Sequence, residues 1–230
     1  MENNNKNQVN IAGAIIIAGV IIAGAILING KTPVALAPVD GVVNNLANIK
    51  IRPVSVDEHI LGNPNAKIVI VEYSDSECPF CKVFDTTMHE VVEKGNGQVA
   101  WVYRHYPIAE LHPKAFRESE AMECAWEQGG NTTFWKYSDE LFLRTTSNNR
   151  LDVAELPKIA FDIGLDLNTF NTCLDTGKYS EKVRADMSDG VQAGVNGTPS
   201  GFILKNGKIV DTIPGAQSAE IILQKIEKIK

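Results

Sequence analysis

A chain of 230 residues, 44% of them hydrophobic, is long enough to bury one sizeable core and still carry an inserted subdomain. Its net charge of -6 at pH 7 argues against a nucleic-acid binder, which needs a basic face to meet phosphate. Four cysteines leave the redox compartment open by count alone.

After a short tail (residues 1–10), the 18-residue run from Ile11 to Ile28, IAGAIIIAGVIIAGAILI, contains no charged or strongly polar residue and just reaches the length of a bilayer-crossing helix. A cleaved signal peptide is the competing reading. Ala35-Leu-Ala37 fits the small-x-small cleavage pattern, but Pro38 comes directly after it and the apolar run is long for a signal sequence, so an uncleaved transmembrane anchor is expected. With so short a tail inside, the bulk of the chain is expected outside the cytoplasm, a single-pass cell-membrane protein in a compartment where disulfides persist. Residues 29–55 contain three prolines and no sustained periodicity, which predicts a linker. Folded structure is expected over residues 56–230.

The chemistry is concentrated at Cys78-Pro-Phe-Cys81. The preceding β-branched run, Lys67–Tyr73, reads as a buried strand, and the stretch beginning at Pro79 reads as a helix running to about Lys94 and stopped by Gly95-Asn96-Gly97. Pro79 suits the first turn of a helix, where its missing N–H costs nothing. Cys78 then sits at the cap, where unpaired N–H groups and the positive end of the helix dipole favour thiolate over thiol. A CxxC is also half of a zinc site. The other cysteines, Cys124 and Cys173, are isolated and supply no second short-spaced pair, so redox chemistry is expected and no metal or cofactor.

A second strand is expected at Val99–Tyr103, parallel to the first through the intervening helix. From about residue 111 to 190 the pattern is helical: Lys114 to Gln128, ended by Gly129-Gly130; Thr133 to Thr145; Val153 to Gly164, with Pro157 demanding a late start or a kink; and Leu167 to Asp189 in two pieces around Gly177. Gly201–Lys205 and Lys208–Asp211, joined by Asn206-Gly207, predict a β-hairpin. Ser218–Lys230 predicts an amphipathic closing helix. Trp101, Trp126 and Trp135 are read as core residues, and His105 and His112 as surface or packing residues in the absence of a nearby third metal ligand. Glu72, an isolated acid among Ile, Val and Tyr, is either a buried carboxyl with a raised pKa or a strand end facing water.

The order β-α-β, helical insert, β-β-α matches a thioredoxin fold, an α/β architecture, with an inserted all-helical subdomain. Several motifs in order resemble the DsbA-like thiol-disulfide oxidoreductases, in particular the membrane-anchored bacterial type related to BdbD. They are Asp57-Glu-His-Ile-Leu-Gly62, Val71-Glu-Tyr-Ser-Asp75 leading into Cys78-Pro-Phe-Cys81, Tyr103-Arg-His-Tyr-Pro107, Leu111-His-Pro113, Cys124-Ala-Trp-Glu-Gln-Gly129, Phe134-Trp135 and Gly194-Val-Asn-Gly-Thr-Pro199.

The resemblance implies a redox-active pair at Cys78 and Cys81, a cis Thr198-Pro199 bond facing it, and Glu72 as the buried acid that exchanges a proton with Cys81. It implies reduced or unfolded protein clients and reoxidation by a membrane quinone-linked enzyme of DsbB or VKOR type. It also implies pairing of Cys124 with Cys173, for which two buried free thiols are the other reading. The strongest oxidants of this family carry histidine where this chain has Phe80. The expected activity is therefore disulfide exchange, as an oxidase first, with reductase or isomerase and a tethered Cu(I)-binding module as alternatives.

Overall fold

The computed structural model describes residues 46–230. The expected anchor at 11–28 and the expected linker up to residue 45 lie outside the described residues, and no helix among the described residues is long and apolar enough to cross a membrane. Five strands are present among the described residues: β1 (His59–Gly62), β2 (Ile68–Ser74), β3 (Val99–His105), β4 (Ser200–Lys205) and β5 (Lys208–Pro214). They form one sheet in the order β1-β3-β2-β4-β5. β2 and β3 run parallel, as their connection through a helix requires, and the other neighbours are antiparallel.

The helices are α1 (Pro79–Lys94), α2 (Ala115–Gly129), α3 (Asn131–Arg144), α4 (Glu155–Asp162), α5 (Leu167–Asp175), α6 (Ser180–Gln192) and α7 (Ala219–Ile229). α2 to α6 form the insert between β3 and β4. Pro157 is the third residue of α4, within the first turn, so the late start replaces the kink. The β4–β5 turn has Asn206 at φ 51° and Gly207 at φ 75°, the left-handed pair that a two-residue hairpin demands.

Alternation along β2 divides the core. Ile68 and Ile70 face α1, where Phe84, Met88 and Val91 are fully buried together with Trp101 and Tyr103 of β3. Each such burial contributes roughly 1.5–3 kcal/mol. Val71 and Tyr73 face the other way and pack with Val102, Phe202 and Leu204.

Two elements depart from the sequence reading. The first is β1, which has no counterpart there: it is four residues long, pairs only with β3, and begins with a histidine. Phe134 of α3 buries that histidine by stacking on it at a ring separation of 3.6 Å, and Asn131 Oδ1 accepts the Ile60 N–H at 2.9 Å. Such support is long-range and leaves no local periodicity. The second departure is that residues 46–55 are not free linker. Ile49, Ile51 and Val54 pack on the second face of the sheet. Arg52 donates its backbone N–H to Asp189 at 2.6 Å and its guanidinium to Asp186 at 2.7 Å and Glu58 at 3.0 Å.

Beneath it, the fully buried Arg104 keeps its charge. Burial opposes that charge, but Glu58 at 2.8 Å, assisted by the Tyr73 side chain, outweighs the cost, and Asp189 pairs with the same guanidinium at 2.6 Å.

Cys124 of α2 and Cys173 of α5 are joined in a disulfide, with Cα atoms 5.8 Å apart across a sequence separation of 49. In the chain-entropy account, closing a loop of that size stabilises by roughly 4 kcal/mol. The C124A/C173A double variant is therefore expected to unfold at a markedly lower urea concentration, with a steeper transition because its unfolded chain is no longer cross-linked. An unchanged midpoint would contradict this.

Candidate active site

The strand-to-helix junction is built by the chain's own turn. The Cys78 N–H donates to Asp75 O at 3.1 Å, Cys78 is extended at φ −76° and ψ 122°, and Pro79 is the first residue of α1. Cys78 is 5% exposed and Cys81 is fully buried; both thiols are free. Opposite them lies the cis Thr198-Pro199 bond, and the Cys78 thiol donates to Thr198 O at 3.5 Å. Gly190 of α6 helps position this loop. A Cβ there would stand 2.7 Å from the Tyr106 ring, so only glycine admits the tyrosine whose hydroxyl donates to Val195 O at 3.0 Å.

The two sulfurs differ electrostatically. The Cys78 thiol is lowered to about 6, chiefly because the Cys81 thiol donates to its thiolate; burial opposes this, and the Cys81 N–H, the Thr198 side chain and the Phe80 N–H assist. Burial pushes the Cys81 thiol well above its ordinary value, and the neighbouring Cys78 and Glu72 push it further. Only the Asp75 N–H, donating to Cys81 Sγ at 3.4 Å, opposes the rise. The outer sulfur is thus an ionised nucleophile and the inner one a held proton donor.

Glu72 lies on the α1-facing side of β2, fully buried, and neither carboxylate oxygen has a hydrogen-bond partner. Burial pushes its carboxyl up to about 8; the charges of Asp85 and Cys78 add to the rise, and the nearby Ser74 hydroxyl and Trp101 indole moderate it. Of the two readings open from the sequence, the buried carboxyl is the one present. Cys78, Cys81, Glu72, Thr198 and Pro199 therefore converge at one end of α1, while the Cys124–Cys173 bridge ties helices of the insert.

Sequence reasoning missed a set of buried acids around the CxxC. Asp75 accepts from the Glu77 N–H at 2.9 Å, the Ile108 N–H at 2.8 Å and His112 Nδ1 at 2.9 Å. Glu77 accepts from the Asn149 N–H at 2.7 Å, the Thr145 hydroxyl at 3.2 Å and the Leu151 N–H at 3.2 Å. It thereby holds a turn in which Ser147, Asn148 and Asn149 all have positive φ. Ser76 donates to Glu118 at 2.6 Å, and burial among these acids pushes Glu118 up to about 8. The detectable signal is Asp75-Ser-Glu77, two acids flanking a serine directly before a catalytic helix. His105, like His112, is buried in a carboxylate contact, with Nε2 3.1 Å from Glu123.

Residues 54–225 match the family model described as thioredoxin. Among curated proteins, the Na(+)/H(+) antiporter NhaA 1 of Mycobacterium sp. (strain KMS) is 34% identical over 161 residues, covering 69% of this chain and 25% of the antiporter. NhaA 3 of Salinispora tropica is 32% identical over 157 residues, covering 68% of this chain and 23% of that one. The chain thus spans about a quarter of the length of these curated relatives. Among solved structures, DsbA2 of Pseudomonas aeruginosa matches with a TM-score of 0.65 at 26% identity, over 78% of this chain and 97% of that one. Oxidised BdbD of Bacillus subtilis matches with a TM-score of 0.67 at 21% identity, over 79% and 97%, a likeness of fold.

Two measurements test the site's electrostatics. Alkylation of the reduced protein by iodoacetamide is expected to modify Cys78 with a midpoint near pH 6 and to leave Cys81 unmodified across neutral pH; a midpoint near 9 would contradict the asymmetry. The second concerns stability. The folded-state pKa of Glu72, about 8, lies above its ordinary 4.5, so its contribution is fully present below pH 4.5 and is lost as pH rises through 8. E72Q is therefore expected to remove that loss and to be more stable than wild type at pH 9, by roughly a few kcal/mol in urea titrations, with the advantage shrinking toward pH 5.

Proposed function

This chain belongs to the thioredoxin family, and from that membership we propose that it is a DsbA-type thiol-disulfide oxidoreductase acting on protein clients, in the oxidising direction. The observation that carries the proposal is the unequal pair of thiols, Cys78 lowered to about 6 and Cys81 held protonated, facing the Thr198-Pro199 loop. The antiport named for the curated relatives belongs to proteins of which the matched segment is only a quarter.

In the oxidised enzyme a client thiolate attacks Cys78 Sγ. The Cys78–Cys81 bond breaks, a client–Cys78 disulfide forms, and the electron pair leaves on Cys81, whose thiolate takes a proton from Glu72. A second client thiolate then attacks the client sulfur of that mixed disulfide and expels Cys78 as a thiolate. The client has lost two electrons and the enzyme has gained them. The exposed Phe80, between the two cysteines, offers an apolar contact for an unfolded chain.

The Cys124–Cys173 bridge and the apolar run at 11–28 support placement at the cell membrane with the domain outside the cytoplasm, where a quinone-linked reoxidase of DsbB or VKOR type would return the pair to its disulfide. Reductase or isomerase activity is the alternative direction of the same chemistry. With both remaining cysteines bridged, the described residues hold no second thiol pair to complete a four-cysteine zinc site.

The test is equilibration of the Cys78/Cys81 couple with glutathione, alongside oxidative refolding of a reduced client. A Cys78 pKa of about 6 lies between the roughly 7 of thioredoxin and 3.5 of DsbA, so the potential is expected between about -270 and -120 mV. C78S is expected to abolish client oxidation, and C81S, which has no disulfide to donate, to trap a mixed disulfide when its Cys78 thiolate attacks an oxidised client. E72Q is expected to slow exchange at least about tenfold at pH 7, with the deficit fading above pH 8, where the wild-type acid has lost its proton. A potential at thioredoxin's value would reverse the assigned direction.

A further inference from the structure

Away from the thiols, α1 and α3 bring together a second cluster of ligand-bearing side chains. Asp85 and His89 stand four residues apart on one face of α1, and Asp139 meets them from α3. His89 Nε2 lies 3.1 Å from Asp139 Oδ1 and 3.9 Å from Asp85 Oδ2, and one ligand atom from each of the three residues lies within 4.8 Å of the others. His89 Nε2 lies within ion-pairing distance of Asp139 Oδ1, so the orphan of the cluster is Oδ1 of Asp85, a residue only 8% exposed, which is buried without a hydrogen-bond partner. Buried acceptor atoms are nearly always paired, so an orphaned carboxylate oxygen beside this imidazole calls for a further ligand.

The same three side chains line a cleft of about 370 Å³ with Thr86, Phe142 and Leu143, which gives an ion and its water a way in. Lys82 also borders this cleft, but its ammonium is spent on the Thr145 carbonyl at 2.5 Å and is 3.5 Å from that of Leu143. The contrast with the other histidine–carboxylate cluster is informative. There His59 Nε2 and His105 Nε2 both bond Glu123 Oε1, at 2.7 and 3.1 Å, and Lys182 stands 3.5 Å from the same oxygen, so a cation is already in place.

We propose that Asp85, His89 and Asp139 bind a divalent transition-metal ion, with Zn²⁺ the best match to one imidazole and two carboxylates. Three protein ligands with water in the fourth position make a tetrahedral site, and with bonds of about 2.0–2.1 Å its ligand atoms stand roughly 3.3 Å apart. The observed 3.1 and 3.9 Å bracket that spacing, so small side-chain rotations complete the site. Bound there, the ion would cross-link the helix that carries the CxxC to the helical insert. It would do so without involving either thiol.

The test uses the full chain with Cys78 and Cys81 oxidised, so that no thiolate competes for metal, and titrates ZnCl₂ calorimetrically. One equivalent is expected to bind. H89A and D139A are each expected to weaken binding by at least about tenfold and to remove the rise in Tm that Zn²⁺ gives the wild type. Asp139 is half-exposed, so D139A keeps the comparison on a folded protein. Absence of saturable binding to the wild type, or equal affinity in an H89A/D139A double variant, would overturn the assignment.

Discussion

Everything chemical in this domain depends on one contact, the hydrogen bond by which the inner thiol supports the outer sulfur at the start of α1. Helix geometry places Cys78 and Cys81 one turn apart, so the thiol of the buried member reaches the thiolate of the member at the cap. Depth then makes the exchange one-sided. Burial opposes charge at both positions, yet at Cys78 it is outweighed by Cys81 and the first N–H groups of the helix, while at Cys81 nothing comparable offsets it. The asymmetry belongs to the junction, and neither residue type alone would produce it.

That junction is held from behind by acids. Asp75 and Glu77 are buried, yet each accepts three hydrogen bonds: Asp75 two from the β3–α2 connection and one from the Glu77 N–H, and Glu77 all three from the turn after α3. A carboxylate satisfied in this way is tolerable in a core and fixes the loop that carries it. Glu72 is the exception in the set. Its oxygens have no partner, and the protein bears that cost at the position closest in role to Cys81. An unsatisfied buried acid with a raised pKa is the property that proton exchange with a buried thiol requires.

Much of this was legible in the sequence because its signals are local. The strand before the CxxC, the helix stop at Gly95, the Asn206-Gly207 hairpin and the separate helices of the insert each come from residues adjacent in the chain. The missing parts depend on distant partners. β1 is four residues long and is buried by Phe134 from another helix. Residues 46–55 look like linker until Arg52 meets Asp186 and Asp189, more than 130 positions away. Glu77 carries no local mark of burial, because its partners lie in the turn at 145–151.

Phe80 shows how the chain's chemistry is bounded. A cationic or hydrogen-bonding residue between the cysteines would add directly to thiolate stabilisation, and phenylalanine adds nothing but its backbone N–H. What remains are contributions that any CxxC at a helix cap receives, namely the inner thiol and the first-turn amides, with the Thr198 side chain assisting. A thiolate stabilised only by these is a moderate leaving group, and the reduced form is favoured over the disulfide by a correspondingly moderate margin. The same ring, more than half exposed, is an apolar surface beside the reactive sulfur. The position between the cysteines therefore forgoes thiolate stabilisation and presents an exposed apolar side chain in its place.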